Sequence, residues 1–376
     1  MKIYADYNAT TPVAPQVIEE MLPYFGEKFG NPASSSHAYG WVASEAVEIA
    51  RERISEFINC NKSEIVFTSG ATESINLAIK GVAEMYANKG RHIVTVCTEH
   101  KAVLDVCKRL SQSGYEITEL EVNHEGLIDF NQLEQSISDQ TILVSIMLAN
   151  NETGVIQDLE KISSIVKNKG ALLFSDATQA GGKMRLDVTE LNADLLCLSA
   201  HKMYGPKGCG ILYMRRKNPR VALIPLIDGG GHEGGLRSGT LNVPAIVGFG
   251  KACDLAAENM WGDNARLSKY RTLFEQAIAT LPGVNINGST KSRLPNTTNL
   301  CFKGYDAAWL IKSFRDIAVS TGSACTSASM QASHVLTGMG LSKDDALSSV
   351  RFSFGKFTTE NEINFCIEKV LSTLNK

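Results

Sequence analysis

No CxxC pair occurs anywhere in the 376 residues, and the nine cysteines (60, 97, 107, 197, 209, 253, 301, 325 and 366) are an odd number scattered along the whole chain. That pattern argues against both a zinc site and a disulfide framework, so no metal is expected and the thiols should be reduced. Long apolar runs are missing too. Nothing approaches the roughly 20 residues that cross a bilayer, and the opening Met1-Lys2-Ile3-Tyr4-Ala5-Asp6 lacks an apolar signal segment. A cytoplasmic location without membrane contact is expected. Charge of one sign is scarce: 37 Lys and Arg against 40 Asp and Glu leave a net charge of -3. So weak a field excludes broad electrostatic capture of a polyanion, and no direct nucleic-acid partner is expected. There is no internal repeat, no low-complexity tract and no Walker A loop; the nearest string, Gly181-Gly182-Lys183, is followed by Met184. What remains is a globular composition, 44% hydrophobic and 20% charged, in a chain too long for one ordinary core.

Between about residues 64 and 214 short apolar runs alternate with helical patterns. Glu64-Ile65-Val66-Phe67-Thr68, His92 to Cys97, Ile142 to Met147 and Leu195 to Ser199 are apolar on both faces, which predicts buried, mostly parallel strands joined by crossover helices. After the first of them, Ile75, Ala78, Ile79, Val82, Met85 and Tyr86 recur at helical spacing, so Ser69-Gly70-Ala71-Thr72-Glu73 opens a helix. Val243 to Leu281 reads as one long connecting helix with a bend at Gly262. The remainder, with strands near Thr298 to Phe302 and Val350 to Phe354 and helices Ala307 to Arg315 and Thr359 to Leu374, reads as a smaller α+β domain that also gathers the N-terminus. The expected division is 14–255 for the large domain, with 1–13 and 256–376 for the small one.

Lys202 follows a buried strand in Ser199-Ala200-His201-Lys202-Met203-Tyr204-Gly205-Pro206. There its amine can be desolvated enough to form a Schiff base. Asp176 also ends an apolar run, 26 positions earlier, which puts both side chains at one edge of a parallel sheet. An acid paired with a pyridinium nitrogen and a lysine Schiff base make the pyridoxal phosphate arrangement. Gly70-Ala71-Thr72 would supply backbone N–H groups and a hydroxyl for the phosphate at a helix start. His100 closes another buried strand and can stack on a ring or move protons. Arg351, alternating with Val350 and Phe352, suits bidentate recognition of a carboxylate. Ser320 to Ser329 is a run of ten small residues around one thiol, Cys325, and reads as a mobile exposed loop of about residues 320–333. The other eight cysteines mostly lie in apolar patterns and read as inert packing.

Taken together, Ser69-Gly70-Ala71-Thr72-Glu73-Ser74, Thr98-Glu99-His100, Asn150-Asn151-Glu152-Thr153-Gly154, Asp176-Ala177-Thr178-Gln179, His201-Lys202, Arg237-Ser238-Gly239-Thr240 and Ser323-Ala324-Cys325-Thr326-Ser327 resemble the cysteine desulfurases of the NifS/IscS type. The resemblance runs from Asp6-Tyr7-Asn8-Ala9-Thr10-Thr11 to Phe357-Thr358-Thr359, almost the whole chain in order. It implies a fold-type I pyridoxal 5'-phosphate enzyme of the class V aminotransferase family, acting as a homodimer with its sites at the subunit interface. By resemblance Lys202 holds the cofactor, Asp176 pairs with the pyridine nitrogen and His100 stacks on the ring. Ala71, Thr72, Ser199 and His201 would bind the phosphate, with Thr240 reaching over from the other subunit. Gln179 would contact the phenolic oxygen, and Asn151 with Arg351 the substrate carboxylate.

The implied reaction converts L-cysteine to L-alanine with transfer of sulfur to Cys325 as a persulfide. An acceptor protein then takes it for iron-sulfur cluster assembly, thiolation or DNA phosphorothioation. Another fold-type I activity, such as a selenocysteine lyase or an aminotransferase, is the alternative. Three departures stand out: Gly234 where relatives usually carry Arg, Ala200 where they carry Gly, and an end soon after Phe365 without the longer tail by which IscS-type members dock a scaffold.

Overall fold

The computed structural model describes residues 2–321 and 331–374. A short strand β1 (Ile3–Tyr4) and helices α1 (Pro15–Met21) and α2 (Ala38–Phe57) precede β2 (Ile65–Thr68). The chain then alternates: α3 (Ala71–Met85), β3 (His92–Val96), α4 (Lys101–Ser111), β4 (Glu116–Leu120), α5 (Phe130–Ser136), β5 (Thr141–Ser145), α6 (Leu159–Asn168) and β6 (Leu172–Asp176). Strands β7 (Leu195–Ser199) and β8 (Gly210–Met214) complete a seven-stranded sheet in the order β2-β8-β7-β6-β5-β3-β4. Strands β3 to β7 pair in parallel, and β8 lies antiparallel between β7 and β2. The crossover from β6 to β7 carries no α-helix, so Asp176 is joined to the start of β7 by turns and irregular chain alone.

Alternation along each strand divides the sheet between two cores. Val66, Leu143, Phe174, Cys197 and Leu212 face α3 and α4, among Ile75, Leu77, Ile79, Val103 and Val106. Phe67, Val144, Leu173, Leu196 and Ile211 face the other way, among Val47, Ile54, Ile162, Val166 and Phe249. Each fully buried Leu, Ile or Phe contributes about 1.5–3 kcal/mol of transfer free energy. With both faces covered, the interior strands are apolar on both sides, whereas the edge strand β4 keeps Glu116 and Glu119 exposed.

The long helix α7 (Val243–Ile278) leaves this region. Its first turns, with Ile246 and Phe249, belong to the sheet's core, whereas Leu267, Phe274 and Ile278 belong to another. The expected bend at Gly262 is absent: the helix is continuous, and a Cβ there would meet nothing. A solvent-facing glycine costs about 1 kcal/mol of helix propensity, too little to break a helix anchored at both ends. Beyond it, β9 (Val284–Ile286), β10 (Thr297–Phe302), α8 (Ala307–Ser313), β11 (Ile317–Ala318), α9 (His334–Gly338), α10 (Lys343–Leu347), β12 (Ser349–Ser353) and α11 (Glu360–Leu374) follow. Strands β12, β10 and β9 form an antiparallel sheet, and β1 pairs in parallel with β11. Ile3 and Ala5 join Phe302, Phe314, Phe352, Phe354 and Cys366 in that second region's core.

Candidate active site

The parallel strands place their carboxyl ends side by side, the edge at which open α/β sheets hold ligands. Asp176 is the last residue of β6 and Ser199 the last of β7, and Ala200-His201-Lys202 follow as one 3₁₀ turn. Thr68 ends β2, after which Gly70, at φ 148°, caps α3 without a side-chain bond of its own. The start of β8 closes this edge: a Cβ on Gly210 would lie 2.6 Å from the Cα of Gly70 and 2.7 Å from the carbonyl of Leu198. A Cβ on Gly70 would stand 3.7 Å from the Ser199 hydroxyl, so the turn and the strand end share one small volume. The first N–H groups of α3 point into it, an environment suited to an anion.

The Lys202 amine is desolvated by burial and repelled by Arg351, so its pKa falls to about 8 although Asp176 and Asp6 oppose the shift. Its Nζ donates to the carbonyls of Asn8 at 2.5 Å and Ala9 at 2.7 Å. Burial, with the charges of Lys202, Lys207 and Lys183, pushes His201 down to about 4, which keeps it neutral at physiological pH. Its Nδ1 lies 3.0 Å from the Thr10 hydroxyl. Asp176 is buried and accepts the Thr178 N–H at 2.9 Å, with the Cys197 thiol 3.5 Å away. His100 caps α4, its Nδ1 accepting the Ala102 N–H at 3.1 Å. Solvent reaches this residue, yet desolvation by the walls around the ring, aided by Lys202 and His334 and opposed by Asp176, holds its pKa below the ordinary value.

The structure brings the sequence-derived residues to this edge from several elements. Gln179 donates Nε2 to the Asn8 carbonyl at 3.0 Å. Arg351, only 3% exposed, donates Nη1 to the Asn151 carbonyl at 2.8 Å and Nη2 to Asp6 at 2.5 Å. Ala71 and Thr72 lie in the first turn of α3, and Thr72 and Thr240 are exposed. Cys325 lies outside the described residues, as does most of the loop expected at 320–333. The eight other cysteines carry thiols whose pKa values are raised, with burial the largest cause in every case.

Sequence reasoning missed the N-terminal segment as part of the site. Asp6 meets Arg351, Asn8 and Ala9 meet Lys202, and Thr10 and Thr11 meet the His201 ring and carbonyl. Most of these partners are backbone carbonyls, which leave no mark on residue identity; only the polar run Asp6 to Thr11 hinted at them. Lys183 was also missed. Burial and the nearby Lys202 charge lower its amine to about 7, and it donates to the Gln179 carbonyl at 3.0 Å. Glu73 takes the Ser69 N–H at 2.8 Å and Arg237 Nε at 2.9 Å, fastening the turn before α3 to the segment that leads to Thr240. Glu233, beside the divergent Gly234, pairs with Arg51 at 2.7 Å and accepts the Phe67 N–H at 2.8 Å. Gly234 itself has φ 64° and open space where a side chain would project. Ala200 is fully buried.

The donor set fits pyridoxal phosphate: a helix N-terminus with nearby hydroxyls, a buried carboxylate and an amine with a lowered pKa. The family model described as Aminotransferase class-V matches residues 3–365. A "Cysteine desulfurase IscS" of Anaeromyxobacter sp. (strain Fw109-5) is 52% identical over 375 residues, covering 100% of this chain and 93% of that protein. Its namesake in Shewanella sp. (strain MR-4) is 50% identical, again over 100% of this chain and 93% of that protein. Among solved structures, a "NIFS-LIKE PROTEIN" superposes with a TM-score of 0.93 at 39% identity, covering both chains completely. "SspA in complex with cysteine" does so with a TM-score of 0.84 at 38% identity, over 96% of this chain and 100% of that one.

Proposed function

The chain belongs to the class V aminotransferase family and is a pyridoxal phosphate-dependent cysteine desulfurase, and from that premise we propose the roles of its residues, its partners and its domain division. Lys202 would hold the cofactor through its amine, and Asp176 would pair with the pyridine nitrogen. The bound cofactor supplies an electron sink for the pair released when the substrate's α-proton leaves. Ala71, Thr72, Ser199 and His201 hold the phosphate, Gln179 the phenolic oxygen, and Asn151 with Arg351 the substrate carboxylate. The neutral His201 suits a site that must accept an anion without strong charge of its own. His100, whose Nδ1 is taken by the Ala102 N–H, would stack on the ring and move protons near the substrate.

L-Cysteine leaves as L-alanine after the Cys325 thiolate attacks its sulfur, forming an S–S bond as the C–S bond breaks. The persulfide then passes to an acceptor protein. A homodimer completes the site, with Thr240 contacting the partner's cofactor. Residues 14–255 form the large domain and 1–13 with 256–376 the small one, a reading supported by the separate core around Phe302 and Phe352. The observation that carries these roles is the lowered Lys202 amine at the sheet edge it shares with Asp176.

Cys325→Ala is the deciding variant. It should keep the cofactor's visible absorbance yet lose persulfide formation and nearly all alanine release. Undiminished alanine release would instead place the chain with selenocysteine lyases or other fold-type I enzymes that need no thiol. A cofactor absorbance surviving in Lys202→Ala would overturn the role of Lys202.

A further inference from the structure

We infer that Asp6 is a positioning residue for substrate recognition: it pins one arm of Arg351 so that the Nε edge of the guanidinium meets the α-carboxylate of the incoming amino acid. The inference rests on the proposed role of Arg351. A guanidinium has five N–H donors in a rigid fork, and the structure accounts for two of its three nitrogens. Nη1 is bound to the Asn151 carbonyl at 2.8 Å and Nη2 to Asp6 Oδ1 at 2.5 Å, while the buried Nε has no partner among the described residues. Buried charged donors are almost always paired, because leaving one unmade costs the full desolvation of the group. A lone unpaired Nε in an otherwise satisfied fork therefore marks where an acceptor from outside the chain binds.

Asp6 is placed for this by its backbone rather than by chance contact. Residues 5–7 run along the end of β12, the strand that bears Arg351: the Tyr7 N–H donates to the Ser353 carbonyl at 3.1 Å and the Ser353 N–H to the Ala5 carbonyl at 2.8 Å. The Asn8 N–H adds a bond to the Ser353 hydroxyl at 2.9 Å. Asn8 Nδ2 bonds the same Asn151 carbonyl, at 3.2 Å, that receives Nη1. Both acceptors of the fork are thus held by one segment, and Arg351 has little freedom to turn. Without the Asp6 carboxylate, Nη2 would lose its charged partner and the fork could rotate about Nη1. The Asp6 charge also raises the pKa of Lys202. That second effect falls on every amine substrate alike, so it can be separated from carboxylate recognition.

The test compares L-cysteine with cysteamine, which carries the same amine and thiol but no carboxylate, on the holoenzyme with its cofactor absorbance intact. Asp6→Asn should raise KM for L-cysteine about tenfold or more, the size of a lost charge-assisted hydrogen bond. The dissociation constant for cysteamine, read from the change in cofactor absorbance, should stay within about twofold by the same reasoning. Asp6→Ala should behave alike and guards against an effect peculiar to the amide. Arg351→Gln supplies the reference and should lose the preference for L-cysteine over cysteamine. If Arg351→Gln keeps that preference, the reading of Arg351 falls and the inference with it. If Arg351→Gln loses the preference while both Asp6 variants keep it, or if they weaken both ligands equally, Asp6 does not position the fork.

Discussion

Lys202 owes its reactivity to its surroundings rather than to its type. Burial and the Arg351 charge outweigh the attraction of Asp176 and Asp6, bringing the amine from its ordinary value of 10.5 to about 8. The neutral amine is the nucleophile, so its population rises with pH and is half-formed near the folded value. Capture of pyridoxal phosphate by the apoenzyme should therefore accelerate through about pH 8 and level off above it, followed by the growth of visible absorbance. A midpoint near 10 would show a solvated lysine. The sequence pattern that singles out Cys325 agrees with the state of the other eight thiols, which are pushed up by burial and are poor nucleophiles at neutral pH. Glu99 follows the same rule for acids. It is fully buried, accepts the Met147 N–H, and its pKa is raised well above the carboxylate range by desolvation first and by Asp176 as well.

At the scale of elements, the antiparallel strand β8 packs against the turn that opens α3, the proposed phosphate cradle. Its register, Gly210 opposite both Thr68 and Ser199, sets the first residue of β8 against the turn that opens α3. Any side chain at Gly210 would collide with backbone on two sides, the Gly70 Cα and the Leu198 carbonyl, neither of which can rotate away. Gly210→Ala should cost about 1–3 kcal/mol of stability through overpacking. It should also weaken pyridoxal phosphate binding more than Gly262→Ala, since a Cβ at Gly262 meets nothing. Thermal melts of the apoenzyme and equilibrium cofactor titrations measure the two effects. A Gly210→Ala enzyme with wild-type cofactor affinity would mean that the turn before α3 is not part of the cradle. The strand types were legible because buried parallel strands are apolar on both faces; the position of β8 was not, because nothing in Gly210-Ile211-Leu212-Tyr213-Met214 states which neighbours it pairs with.

For the whole molecule, the surface argues for a second copy. From the turn after α1 into α2, Leu22, Phe25, Phe29, Tyr39 and Trp41 are all more than half exposed, with the Phe29 and Tyr39 rings 5.5 Å apart. A monomeric protein seldom leaves so many large apolar side chains in water along one segment. Thr240, the residue proposed to serve the partner, is likewise exposed and is backed by the Glu73–Arg237 and Arg51–Glu233 ion pairs. Trp41→Glu combined with Phe25→Asp should shift the protein from dimer to monomer in sedimentation velocity and lower cofactor affinity in step. A double variant that remains a dimer would put the interface elsewhere.

Much of this was written in residue types and their order. The apolar strands, the glycine turn before α3, and the Asp176, Lys202 and His100 strand ends follow from local patterning, because strand burial and helix starts are governed by neighbours close in sequence. Other features depended on segments hundreds of residues apart being brought together. Asp6 beside Arg351, the Asn8 and Ala9 carbonyls on Lys202, and the Gly70–Gly210 contact are long-range, and all but the first involve backbone atoms common to every residue. The pKa of Lys202 belongs to this second group, since desolvation depends on what the folded chain packs around the amine and not on the residues adjoining it.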